Sequence, residues 1–188
     1  MSTTTVYDKS HLIQLINEHA LQIGEFTLAS GKQANFYLDC RKLTLTGEGA
    51  NVIAAGMLEI LADDWPDAVG GMAIGADPIT AAIITRAWQQ NRELRGFIVR
   101  KEAKTHGTGR QVEGPVKAGD RSVIVEDVVT TGGSSIRAIK YAREFGLVVD
   151  KVLAVVDRNV GAAENFAQHG IELQTLVTLS DLDISAAD

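Results

Sequence analysis

Val123-Ile124-Val125-Glu126-Asp127-Val128-Val129-Thr130-Thr131-Gly132-Gly133-Ser134-Ser135 sets the fold of this chain. It opens as an apolar run, delivers two adjacent carboxylates, then passes through a Thr/Gly/Ser turn into a helix predicted over residues 134–145. An apolar run without polar alternation belongs to a strand buried on both faces of a sheet. Glycines in the turn permit positive φ and close approach of the backbone. Successive backbone N–H groups there, with the helix N-terminus behind them, make an anion site.

The same alternation continues on either side. Upstream, the pattern predicts a helix over 47–61, a strand over 69–74 and a helix over 79–90 with Pro78 in its first turn. Strands follow at 96–100 and 121–126. Downstream come a strand at 151–156, a helix at 162–169 and a strand at 172–177. Strands separated by helices form βαβ units, hence an α/β fold with a mostly parallel central sheet flanked by helices. Nearer the start, Asp8 caps a helix running to about residue 21, with Leu12, Ile13, Leu15, Ile16 and Leu21 as its apolar face. Short strands at 25–28 and 35–39, joined across Ser30-Gly31-Lys32, add a small N-terminal hood. At 188 residues one domain is expected over 1–188, with the hood at about 1–45 and the core at about 46–188. Ligands of such sheets gather beyond the carboxyl ends of the strands. Residues 75–77, 100–106, 126–134 and 157–159 all fall there.

Composition narrows the function classes. No apolar run reaches the roughly 18–20 residues that span a bilayer, and residues 1–9 are polar, unlike a secretory signal. A cytoplasmic protein without a membrane partner is expected. The net charge of −6 argues against a nucleic-acid partner. Local charge differs, however: Arg100, Lys101, Lys104, His106 and Arg110 crowd one segment and suit an anionic small molecule. The single cysteine, Cys40, has no local His and reads as a packed thiol. His11, His19 and His169 sit on helix-like segments as surface residues.

Acidic side chains beside a phosphate cradle repel the phosphate unless they serve another group. Ribose hydroxyls are good donors to Glu126 and Asp127, so the stretch reads as a site for a sugar phosphate held by its phosphate and its diol. Hydroxyls of Thr130, Thr131, Ser134 and Ser135 add donors. The plain alternative is a Gly-rich strand-to-helix turn with its acids facing water.

This string is similar to the motif by which type I phosphoribosyltransferases bind 5-phosphoribosyl 1-diphosphate (PRPP). The segment Arg100-Lys101-Glu102-Ala103-Lys104-Thr105-His106-Gly107 resembles, more specifically, the loop of the orotate phosphoribosyltransferases. The resemblance implies a type I phosphoribosyltransferase-like fold and transfer of phosphoribosyl from PRPP to orotate. It implies that Arg100, Lys101, Lys104 and His106 close on the diphosphate, with Lys101, Lys104, His106 and Asp127 catalytic. Glu126, Asp127, Val128, Val129, Thr130, Thr131, Gly132, Gly133 and Ser134 would hold the ribose and 5-phosphate, and Ala76 and Asp77 would help with the diphosphate.

In that family the basic loop acts across a homodimer interface, which implies shared active sites; the sequence does not fix which chain each side chain serves. The hood segment 26–39 resembles the family's as well. Tyr37 and Leu38 match its ring-contacting pair, with core packing as the alternative for Phe36 and Tyr37. Ala29 stands where many members carry Lys, and Lys32 is taken as the hood's basic contact. Arg158, at a strand end, suits a bidentate pair with the orotate carboxylate, beside Thr130; an ion pair with Asp157 is the alternative. Mg²⁺ is the implied cofactor, carried by PRPP and water, with no direct protein ligand expected beyond a contact from Asp127. A purine transferase or a PRPP-sensing regulator of the same fold are the rivals.

Overall fold

The computed structural model describes residues 6–27, 33–102, 111–182 and 184. A six-stranded sheet forms its centre, with strands β3 (Ala68–Met72), β4 (Arg95–Val99), β5 (Val112–Glu113), β6 (Arg121–Val129), β7 (Val148–Asp157) and β8 (Glu172–Thr178) in the order β5-β4-β3-β6-β7-β8. All neighbours are parallel except β4 and β5. Successive residues of β6 and β7 serve opposite faces, as strand geometry requires. Val123, Val125, Leu153 and Val155 join one core cluster. Ile124, Val152 and Ala154 join the other. The first cluster is closed by helices α3 (Gly47–Ile60) and α4 (Ala76–Gln89). The second is closed by α5 (Gly133–Phe145) and α6 (Ala162–Gln168).

Local signals start and stop these helices. Asp8 caps α1 (Lys9–Leu15) by accepting from the backbone N–H groups of Ser10 and His11, the role expected of an N-cap carboxylate. Thr46 does the same for α3 through Gly49 N–H. Helix α5 ends where Gly146 takes φ +106°, a left-handed stop that glycine adopts without penalty.

Several elements depart from the sequence expectation. The first helix finishes as a π-helical turn, Ile16–Ala20, and Leu21 begins a strand. Leu12, Leu15, Ile16 and Ala20 all lie in the first core cluster, so α1 packs with the core, and the hood is the antiparallel hairpin of β1 (Leu21–Thr27) and β2 (Gln33–Leu38). A short helix α2 (Arg41–Thr44) and the two-residue β5 had no counterpart in the sequence pattern. Helix α4 begins earlier than the expected residue 79: residues 73–75 form a turn, Gly75 is the N-cap, and Ala76 and Asp77 open the first helical turn. Cys40 is fully buried and burial pushes its thiol pKa up, as a packed thiol requires.

Candidate active site

Five segments meet at the carboxyl edge of the sheet. They line a cleft of about 360 Å³: hood residues Tyr37 and Leu38 with the following Asp39 and Arg41, Met72 at the end of β3 with residues 73–75 after it, Lys101 after β4, and Glu126, Asp127, Val128, Thr130, Ser134 and Arg158 from the β6 and β7 ends. An adjoining hollow of about 400 Å³ is walled by Val128, Val129, Thr130, Thr131, Gly132, Gly133, Ser134 and Arg137. Val128, Thr130 and Ser134 border both.

The hollow lies at the segment that the sequence marks as a candidate phosphate cradle. Gly132 is the N-cap of α5 at φ +80°. A Cβ built on it would stand 2.6 Å from Cζ of Phe166, so this position needs glycine both for its backbone and for its neighbour. Helix α6 supports the loop twice, with Phe166 beneath Gly132 and Asn165 Nδ2 donating to the Thr131 carbonyl at 2.7 Å. Arg137, one turn into α5, brings a guanidinium to the rim. Together the helix N-terminus and this cation favour an anion in the hollow.

The serine hydroxyls are used differently from the sequence expectation. Ser134 Oγ and Ser135 Oγ both donate to Glu126 Oε2, at 3.0 and 2.9 Å, and Ser135 is fully buried. The serines thus fasten the acid to the helix start, Ser134 from the wall shared by hollow and cleft and Ser135 from the core. The water-facing alternative does not hold for Glu126, which is buried. Burial, and then the neighbouring Asp127 carboxylate, raise its pKa to about 7. Asp127 is half-buried, and its Oδ1 accepts from Val128 N–H at 2.8 Å.

The raised Glu126 pKa carries a stability prediction. The folded chain keeps this proton between pH 4.5 and about 7, whereas the unfolded chain releases it, so the native state binds more protons and loses stability as pH rises through that window. Thermal melts across the window should show wild type declining relative to Glu126→Gln. Parallel curves for the two proteins would contradict the assignment.

At the opposite end of the cleft, the Arg158 guanidinium lies over the Phe36 ring at 4.8 Å, a cation–π geometry. Its Nε is buried without a hydrogen-bond partner among the described residues. The ion pair with Asp157 does not form, because that carboxylate accepts from Asn159 N–H at 2.9 Å. Neither Phe36 nor Tyr37 is buried, so core packing does not account for them; Tyr37 stacks at 5.7 Å on Phe26 and faces the cleft.

The remaining expected residues are distributed as follows. Residues 73–75 line the cleft, whereas Ala76 is fully buried in α4 and Asp77 is half-buried beside it. The peptide bond between Ala73 and Ile74 is cis. Gly75 lets this segment approach Asp127, since a Cβ there would stand 2.9 Å from its Oδ1. Lys101 is exposed on the cleft lip. Arg100 turns toward the sheet edge, with Nη1 3.7 Å from Glu113 and Nε donating weakly to the Glu102 carbonyl at 3.4 Å. Lys32, Lys104 and His106 lie outside the described residues. Arg137, Arg41, Asp39 and residues 72–74 were not anticipated from the sequence. Arg137 was the most findable, being three and four residues beyond Ser134 and Gly133 on a predicted helix, and so on their face.

Among the described residues no three His, Cys, Asp or Glu side chains cluster at metal-binding range. Asp77 Oδ1, buried without a partner among them, and the half-buried Asp127 are oxygen donors of the kind that suits Mg²⁺. A cation here would take most of its ligands from substrate oxygens and water.

Compared with known proteins, the chain is 54% identical to an orotate phosphoribosyltransferase of Rhodopirellula baltica, over 94% of this chain and 95% of that protein. It is 42% identical to the orotate phosphoribosyltransferase of Aquifex aeolicus, over 93% and 97%. Among solved structures it resembles the Mycobacterium tuberculosis orotate phosphoribosyltransferase in complex with PRPP, with a TM-score of 0.81, 32% identity, and coverage of 94% of this chain and 99% of that one. No protein-family model matches the chain.

Proposed function

The chain belongs to the orotate phosphoribosyltransferase family, and from that premise we propose how its cleft performs the reaction. The enzyme transfers the 5-phosphoribosyl group of PRPP to orotate, giving orotidine 5′-monophosphate and diphosphate, a step of pyrimidine biosynthesis. The observation that carries the arrangement is the pairing of a Gly-rich helix N-terminus with Arg137 at one end and Arg158 on Phe36 at the other, with Glu126 and Asp127 between them.

In this reading the 5-phosphate sits in the cradle on backbone N–H groups of residues 130–134, with Arg137 beside it. The ribose hydroxyls donate to Glu126 and Asp127. Orotate lies between the hood residues Tyr37 and Leu38 and the Thr130 and Arg158 wall, its carboxylate taken by the Arg158 fork; Lys32 adds a cation from the hood. Orotate N1 gives up its proton, which an oxygen of the departing diphosphate can accept, and forms the new bond to ribose C1 as the bond from C1 to the diphosphate oxygen breaks; the diphosphate leaves with that electron pair. Positive charge grows on the ribose in that transition state, so the two carboxylates beneath it stabilise it. Negative charge grows on the leaving group, where Lys101, with Arg100, Lys104 and His106 of the loop, supplies donors. Ala76 and Asp77, behind residues 73–75, complete that side of the site. Holding both reactants in line supplies much of the rest.

Asp127 would be the residue to hold Mg²⁺, which would neutralise diphosphate charge and ease its departure. We also infer a homodimer with shared sites, working in the cytoplasm. The groove between α3 and α4, about 520 Å³ and edged by the exposed Leu45, supports a second copy packing there. Among the described residues no helix is long and apolar enough to cross a membrane.

The acceptor end is tested at Arg158. A charge-assisted hydrogen bond to a carboxylate is worth about 1.5–3 kcal/mol, so Arg158→Ala should raise the KM for orotate about 10- to 100-fold. The KM for PRPP should stay within about twofold of wild type, because the phosphate contacts are untouched. A rise confined to PRPP would contradict this orientation.

A further inference from the structure

The cleft holds a cation that the account above does not use. Strand β2 ends at Leu38 and passes into Asp39-Cys40-Arg41. Cys40 is fully buried and pins the backbone, while Asp39 and Arg41 on either side of it both border the cleft. Arg41 Nε meets Asp39 Oδ1 at 2.8 Å and Nη2 meets Oδ2 at 3.1 Å, and the Arg41 backbone N–H donates to Oδ1 at 3.2 Å. Three bonds onto one carboxylate fix the plane of the guanidinium. Its Nη1 has no partner among the described residues, and the side chain is 45% exposed against 17% for Asp39. An exposed pair of this kind contributes little to stability, so folding alone does not explain why it is built so tightly at a cleft wall.

Charge indicates what Arg41 is for. The described cleft wall carries three carboxylates, Asp39, Glu126 and Asp127, against three cations, Arg41, Lys101 and Arg158. Arg158 is committed to the Phe36 end. Arg137 stands at the cradle, outside the cleft proper. A diphosphate entering beside Asp127 and residues 73–75 therefore finds two described cations, and Lys101 is a single ammonium on the lip. Arg41 is the fork-shaped donor on a fixed wall, and phosphate oxygens suit a fork. We propose that Arg41 is a diphosphate-binding residue of this site, with Asp39 as the positioning residue that aims it. The proposal rests on the phosphoribosyltransfer reading. Asp39 already neutralises Arg41 in the empty cleft, so the guanidinium presents donors there without a large net positive charge.

Calorimetry with inorganic diphosphate and Mg²⁺ on the full chain tests this, together with initial rates in both directions. Arg41→Gln should weaken diphosphate binding and raise the KM for PRPP by about 10- to 100-fold, the cost of a lost charge-assisted contact. The KM for orotate should change less than about twofold. Arg41→Lys, which keeps the charge without the fork, should fall between, and it serves as the test if the glutamine variant does not fold. Asp39→Asn should weaken diphosphate about three- to tenfold at unchanged thermal stability, a split that a purely structural role would not give. Unchanged diphosphate affinity in Arg41→Gln, or a KM rise confined to orotate, overturns the proposal. A wild type that binds diphosphate yet transfers nothing to orotate would instead break the reading of function and leave the Arg41 comparison standing.

Discussion

Lys101→Ala is expected to lower kcat by about 10²–10³, the loss seen when one donor to developing transition-state charge is removed. Lys101 stands exposed on the cleft lip, at the foot of the segment that carries Lys104 and His106. Its ammonium would meet the diphosphate as the bond to C1 lengthens, when the leaving group gains most charge, so the effect should fall on kcat more than on the KM for PRPP. The same variant tests sharing between subunits. In a homodimer whose loop crosses the interface, a Lys101→Ala chain paired with an Asp127→Asn chain rebuilds one intact site. Random mixing makes about half the dimers mixed, each with one good site in two, so about a quarter of wild-type activity should return. Activity no higher than the sum of the two parents would mean that Lys101 serves its own chain's cleft.

Gly132→Val should be nearly as damaging, through the fold of the cradle. An L-residue at φ +80° costs roughly 1–2 kcal/mol in the left-handed region. The new Cβ would stand 2.6 Å from the Phe166 ring, which is fully buried; overpacking of that kind costs about 1–3 kcal/mol. The sum, about 2–5 kcal/mol, corresponds to a Tm fall of roughly 5–20 °C in a chain of this length. Because the strain sits in the loop proposed to present its N–H groups to the 5-phosphate, the KM for PRPP should rise even in the fraction that stays folded. Phe166→Leu in the same chain should recover part of the stability by removing the clash, but little of the KM, since the backbone still cannot adopt its native turn. An unaltered KM for PRPP in Gly132→Val would mean that the loop does not bind phosphate.

Much of the fold was legible because its strands are buried on both faces. The apolar runs of β6 and β7 need no partner to be recognised, and the helices between them leave a clear period. What escaped was set by pairing rather than by local pattern. Strand β6 runs through its two acids to Val129 because Val128 and Val129 pair with Val156 and Asp157 of β7. Leu21 looks like the last apolar residue of a helix, yet it starts β1 because it faces Leu38 across the hairpin. Helix α2 has four residues and β5 two, too few to show any periodicity.

The site divides along the same line. The cradle, the acidic pair, Lys101 and Arg158 were readable because contiguous residues carry them or because they end a buried strand. The direction of a hydroxyl was not, and so the two serines turned out to hold Glu126. Arg41 was missed because nothing local marks it: its meaning comes from residues 73–75 and Asp127, which the fold brings to the same cleft from more than thirty positions away.

The central claim, that the cradle names the donor and the Arg158 end names the acceptor, is tested most directly by following base consumption spectrophotometrically with PRPP. Orotate, hypoxanthine, adenine and uracil would be offered in turn to the wild-type chain, with and without Mg²⁺. Turnover of orotate, dependent on Mg²⁺, with the other three bases at background is the predicted result. Turnover of a purine without orotate, or PRPP binding with no base consumed, would contradict it.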